Sequence, residues 1–132
     1  MKKAIALLLA LVMVFALCAC GGDKGTADNG EKVVKIGVFE PASGDSGAGG
    51  KKEMLGMQYA NQETPTVEIG GETYKVELVY SDNGSDSAKA VSAASKLVNE
   101  KVSLVLGSYG SGVSIAASDT FKQAGIPAIG VT

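Results

Sequence analysis

The chain has 132 residues, enough for one modest domain, with 12 basic residues that are all lysine, 14 acids and a formal charge of −2. Three Phe, no Trp and a slightly acidic balance exclude a nucleic-acid footprint, which needs basic patches and stacking platforms. The absence of His removes the commonest general base and transition-metal ligand together, so neither metal nor cofactor is expected. The 18 Gly are not periodic, which excludes a collagen-like chain.

Lys2 and Lys3 precede an apolar run from Ala4 to Leu17. A basic start, a short apolar core and small residues before a cut make a secretory signal, and the run is too short for a membrane span. Leu17-Cys18-Ala19-Cys20, followed by Gly21-Gly22, resembles the bacterial lipobox. That resemblance implies cleavage after residue 19 and a lipid on Cys20; ordinary secretion without lipid is the plainer alternative. Cys18 and Cys20 are the two cysteines, so the body has no disulfide and no thiol nucleophile. Residues 20–31 are small and polar and read as a solvated tether, which leaves residues 32–132 as the folded lobe.

Val33 to Phe39 is an apolar run with Gly37 inside it, suited to a central strand buried on both faces. Glu40 to Gly50 reads as a loop and Lys51 to about Glu63 as a helix. Gly56 inside that helix costs roughly 1 kcal/mol against Ala, and a close helix–sheet approach would explain it. Gly70-Gly71 after Val67-Glu68-Ile69 signals a hairpin. From Tyr74 to Tyr80 the residues alternate apolar and polar, which places this strand at the sheet edge with one wet face. Ser85 or Asp86 can cap the next helix, which runs to about Glu100 with Val91, Ala94 and Val98 on its apolar face, supported by Ala90 and Leu97. Val102 to Leu106 is the third parallel strand. A turn rich in Gly and Ser follows, Gly107 to Ser114, and then a helix with Val113, Ala116, Ala117, Phe121 and Ala124 on its apolar face. Gly125 and Pro127 stop it, and Ala128 to Val131 is a last strand.

This order predicts an α/β fold, a parallel sheet with helices on both faces and strand order 2-1-3-4. Ligands of such sheets bind beyond the carboxyl ends of the strands, at the point where strand order reverses. The loops from Glu40 and from Gly107 flank that point. A helix start offers unpaired N–H groups and a partial positive charge, and serine hydroxyls add donors, so the Gly107 turn suits a carboxylate. Its plainer reading is a connector in which Ser111 is only the N-cap.

Three other chemistries fail on particular residues. The loop from Asp45 to Lys52 misses a phosphate-binding loop, because Asp45 stands where Gly is needed and Lys52 where Ser or Thr is needed. Dinucleotide binding would need Gly at Lys52. Ser108 in Gly107-Ser108-Tyr109-Gly110 resembles a nucleophile elbow, but no His is present to activate it.

The residues Lys35-Ile36-Gly37-Val38, the loop Pro41-Ala42-Ser43-Gly44-Asp45 leading to Gly49-Gly50 and Gly56, Gly70-Gly71 with Tyr74-Lys75-Val76, and Asp82-Asn83 with Ser85-Asp86 and Ala90-Val91 form a consistent series. It continues with Gly107-Ser108, Ser111, Ala117-Ser118-Asp119 and Gly125-Ile126-Pro127. In this order the series resembles the N-terminal lobe of the leucine/isoleucine/valine-type substrate-binding proteins, periplasmic-binding-protein type I receptors of ABC importers. The resemblance implies a two-lobed receptor that clamps an amino acid and hands it to permease and ATPase subunits, held outside the cytoplasm by the lipid anchor, with no catalysis. It also implies that Ser111, with Gly110 and Tyr109 beside it, binds the ligand's carboxylate through hydroxyl and backbone N–H, and that Thr132 begins a further set of contacts. Some relatives place an aromatic residue where Gly49 stands. A ligand-sensing ectodomain of the same fold is the alternative. The chain is expected to be a fragment, since the edge of the last strand would otherwise stay unpaired and apolar.

Overall fold

The structure, a computed structural model, describes residues 30–131. The signal peptide, Cys20, nearly all of the tether and Thr132 lie outside the described residues.

The elements run β1 (Val33–Val38), α1 (Gly47–Glu63), β2 (Thr66–Ile69), β3 (Glu72–Tyr80), α2 (Ser87–Asn99), β4 (Leu104–Leu106), α3 (Ser111–Ala124) and β5 (Ala128–Ile129). They form one five-stranded sheet of order β2-β3-β1-β4-β5. β1 pairs in parallel with β3 and β4, and β4 with β5. The expected parallel order is therefore present as β3-β1-β4-β5. The edge, however, is not the alternating strand: β2 folds back antiparallel onto β3 through Gly70 and Gly71, both at positive φ, where glycine carries no steric penalty.

Register assigns side chains to faces, because successive residues of a strand point to opposite sides. Gly37 lies opposite Val79 and Val105, and this face is covered by α2 and α3. The core there gathers Phe39, Leu97, Val102, Val105, Ala117 and Phe121. A Cβ at Gly37 would meet Val105, Leu97 and Val102 at 3.0, 3.1 and 3.2 Å, so its absence lets α2 close on the sheet. Phe39 and Phe121 meet edge to face, centroids 5.4 Å apart, the arrangement the ring quadrupoles prefer. Ile36 lies opposite Leu78 and Leu104. That second face looks toward α1 across an open apolar groove of about 700 Å³ lined by these residues with Val76, Met57 and Ala60.

Several expectations are corrected. α1 begins at Gly47, not Lys51, because Gly47 and Gly50 are buried and the chain winds directly against Pro41 and Ala42, where a Cβ at Gly50 would collide. Gly56 makes no close approach: nothing lies within 4 Å of where its Cβ would be. The buried face of α2 is Ala90, Ala93, Ala94 and Leu97; Val91 is exposed, because the helix is rotated to bring its small residues against α3 and the sheet. Ala124 is exposed rather than in the core. β1 is buried at its carboxyl end only, Val33 being exposed. β4 is shorter than expected, starting at Leu104. Gly125 does end α3, in the left-handed conformation with its N–H turned back to Phe121 and Lys122 carbonyls.

Candidate functional site

Three loops meet beyond the carboxyl ends of β1, β3 and β4, and side chains tie them together. Asp82, after β3, accepts from the amides of Ala42 and Gly84, each at 2.8 Å, from the Ser43 amide at 3.3 Å and from the Ser43 hydroxyl at 2.6 Å. Partial desolvation pushes this carboxyl up, but the Ser43 hydroxyl and the Gly84, Ala42 and Ser43 amides together outweigh it and hold it below its ordinary value. Asn83 is buried and donates to the Phe39 carbonyl at 3.1 Å. Ser85 sits at positive φ, accepts from the Ser46 amide at 2.9 Å and donates to the Ser43 carbonyl. The N-cap of α2 is accordingly Asp86, which accepts from the Ala88 amide at 2.7 Å. Ser46 thus leads into α1 from a loop fixed by its neighbour. The glycines Gly47, Gly49 and Gly50 lie in the first turns of α1; this is a helix start packed on its own loop, not a phosphate cradle.

The turn after β4 is held just as closely. The Gly107 amide donates to the Ile129 carbonyl at 2.9 Å. Gly107 has φ 121°, and any Cβ there would run into the Phe39 carbonyl and the Glu40 carboxyl. The chain can pass the end of β1 this closely only as glycine. Ser108 is buried; its hydroxyl donates to the Gly110 carbonyl at 3.0 Å and lies 3.1 Å from the Ser114 hydroxyl. The Tyr109 amide donates to Glu40 Oε2 at 2.8 Å.

α3 then starts with Gly110 as N-cap, which makes no side-chain cap. The Val113 and Ser114 amides are taken by the Gly110 carbonyl at 3.1 and 3.0 Å. Ser111 is the first helical residue and exposed, so it is not the cap of the plainer reading. Among the described residues its hydroxyl has no partner, and the Ser111 and Gly112 amides have no acceptor. Tyr109, 43% exposed, lays its ring on Gly49: a Cβ there would fall 2.6 Å from Tyr109 Cε2. The structure therefore brings Tyr109, Gly110 and Ser111 to one edge, with the starts of α1 and α3 side by side.

Glu40 is the residue that sequence reasoning missed. It is 1% exposed, and its Oε1 has no partner. Burial first, and then the Glu53 carboxyl beside it, push its pKa up to about 8 against the opposing pull of the Tyr109 amide. The one signal was its position, an acid directly at the end of a buried strand at the point where strand order reverses. The apolar groove under α1 is lined mostly by aliphatic side chains, with Glu53, Asn61, Thr64 and Thr66 as its polar residues.

The sequence profile described as periplasmic binding protein matches residues 33–132. The chain is 33% identical over 115 residues, 87% of its length, to a Leu/Ile/Val-binding protein homolog 2 of Brucella abortus, of which it covers 29%. It superposes on a leucine-binding protein LivK of Thermotoga maritima with TM-score 0.67 at 34% identity, covering 74% of this chain and 27% of that one. It also superposes on a branched-chain amino acid transporter substrate-binding protein LivJ of Streptococcus pneumoniae, in complex with isoleucine, with TM-score 0.66 at 35% identity, covering 75% and 28%. The chain spans under a third of the length of each.

Proposed function

The chain belongs to the periplasmic binding protein family, and from that premise we propose that it is one lobe of the extracytoplasmic substrate-binding component of an ABC importer. Its ligand is a branched-chain or related amino acid, taken by the carboxylate. The observation that carries this reading is the start of α3: an exposed Ser111 hydroxyl beside Ser111 and Gly112 amides without acceptors, at the ligand edge of the sheet. A carboxylate oxygen placed there accepts from hydroxyl and amides at once and lies at the positive end of the helix dipole. Tyr109 forms an apolar wall over Gly49, and Thr132 adds a further contact.

The isoleucine bound by the LivJ protein supports the ligand class. Catalysis has no place in this reading: Ser108, the one serine in an elbow-like sequence, is buried and turned onto Gly110 and Ser114. Permease and ATPase subunits are the protein's partners, and a lipid on Cys20 holds it at the membrane after residues 1–19 are removed. Residues 20–31 are its tether and residues 32–132 its lobe.

Calorimetry with isoleucine on the full-length protein tests the site. Ser111→Ala is expected to weaken binding by roughly 1–3 kcal/mol, the worth of a hydrogen bond to a charged group. An unchanged affinity removes Ser111 from the site.

A further inference from the structure

Glu40 is a buried acid with an uneven set of partners. One oxygen, Oε2, takes the Tyr109 amide at 2.8 Å. The other, Oε1, is orphaned, and so is Oε2 of Glu53, whose carboxyl acts on Glu40 from α1 at hydrogen-bonding range. A buried acceptor left without a partner is costly, and two carboxylates side by side repel. One proton between the two groups removes both penalties, because it turns an orphan acceptor into a donor aimed at the other. Among the described residues the groups acting on Glu40 are the Tyr109 amide from the turn and the Glu53 carboxyl from α1, neither of them a cation. Asp82, from the β3–α2 loop, is engaged with Ala42, Ser43 and Gly84. The lysines paired among the described residues face Glu72, Glu100 and Glu31.

We propose that Glu40 and Glu53 share one proton, and that this pair is a positioning device which holds the ligand turn through the Glu40–Tyr109 hydrogen bond. The close passage of Gly107 over the Glu40 carboxyl makes the coupling direct. Removing the proton puts a second negative charge beside the buried Glu40 carboxyl, against the turn, and the turn shifts to relieve it. The ligand turn then depends on pH through Glu40, although Ser111 itself carries no ionisable group. The direction follows from burial, which favours the neutral acid: the ordered turn is present at lower pH and is lost as pH rises through the Glu40 value near 8.

The structural half of this inference stands alone; its consequence for binding rests on the reading of the turn as a carboxylate site. Amide NMR spectra of the full-length protein, without ligand, test the first half. The Tyr109 amide is expected to shift with a midpoint near pH 8 in the wild type. That titration is absent in Glu40→Gln, which keeps an acceptor for the amide, and moves to lower pH in Glu53→Gln, which removes the neighbouring charge. A Tyr109 amide that stays still across this range, or shifts alike in wild type and Glu40→Gln, overturns the pair. Isoleucine affinity, measured on the same samples, is expected to fall by about tenfold per unit of pH above the midpoint at most, and not to fall in Glu40→Gln. Equal pH dependence in both proteins overturns the coupling to the site. If the wild type binds no isoleucine at any pH, the ligand assignment fails, while the Tyr109 titration still decides the pair.

Discussion

On the face that carries Gly37 and Val105, α2 and α3 close over the strands and leave Leu97, Val105 and Ala117 with no exposure. On the face that carries Ile36 and Leu104, α1 leaves an open apolar groove. The same strands supply both faces, so the difference lies in the helices. α2 and α3 bring small residues, Ala90, Ala93, Ala94 and Ala117, which let backbones approach. α1 is anchored at its start, where Gly47 and Gly50 lie against Ala42 and Pro41, and its later turns stand off the sheet. Cohesion is thus concentrated behind the sheet and at the carboxyl ends of the strands, where the starts of α1 and α3 are placed.

The sharpest way to break this contrast is a matched pair of truncations. Leu97→Ala on the closed face is expected to cost about 3 kcal/mol, within the range for a fully buried leucine. Met57→Ala on the groove face is expected to cost under ~1 kcal/mol, since little apolar surface is withdrawn from water there. Equal losses in urea unfolding would show that the two faces are equally closed.

Asp82 comes next. Asp82→Ala removes the acceptor that joins the first two loops and is expected to cost roughly 1–2 kcal/mol. Its pH signature is separate from that of Glu40. A carboxyl held below 3.8 in the folded chain contributes stability above that value, which is lost as pH falls through the folded value. Unfolding of Asp82→Ala should therefore lose part of the wild type's acid sensitivity, and a parallel pH profile would count against the role.

The smallest effect has the opposite sign. Gly56 lies in a helix with open space where its Cβ would be, so Gly56→Ala is expected to stabilise the chain by up to ~1 kcal/mol. A loss of stability in the melting curve would mean that the groove face is closed over α1 after all.

Strands, the Gly70-Gly71 hairpin and the parallel order were legible because alternation, apolar runs and turn glycines act locally. The Gly125 stop was legible for the same reason. What escaped depends on close approach between distant segments. Gly47 to Gly50 looks like loop because nothing local shows that Pro41 lies against it. Gly56 invited a packing reason that the fold does not provide. Val91 and Ala93 cannot be ranked for burial without knowing how far α2 is rotated. At the candidate site, the exposed turn at Ser111 was legible from its composition and its place after a buried strand. Glu40, Glu53 and Asp82 were not, since a buried acid looks like a solvated one until its neighbours are known.

Amide NMR during an isoleucine titration of the full-length protein tests whether the start of α3 takes a carboxylate. The Ser111 and Gly112 amides are expected to shift furthest downfield, as they gain an anionic acceptor, and Ser111→Ala is expected to remove most of the response. Saturable binding that leaves these two amides unmoved would contradict carboxylate binding there.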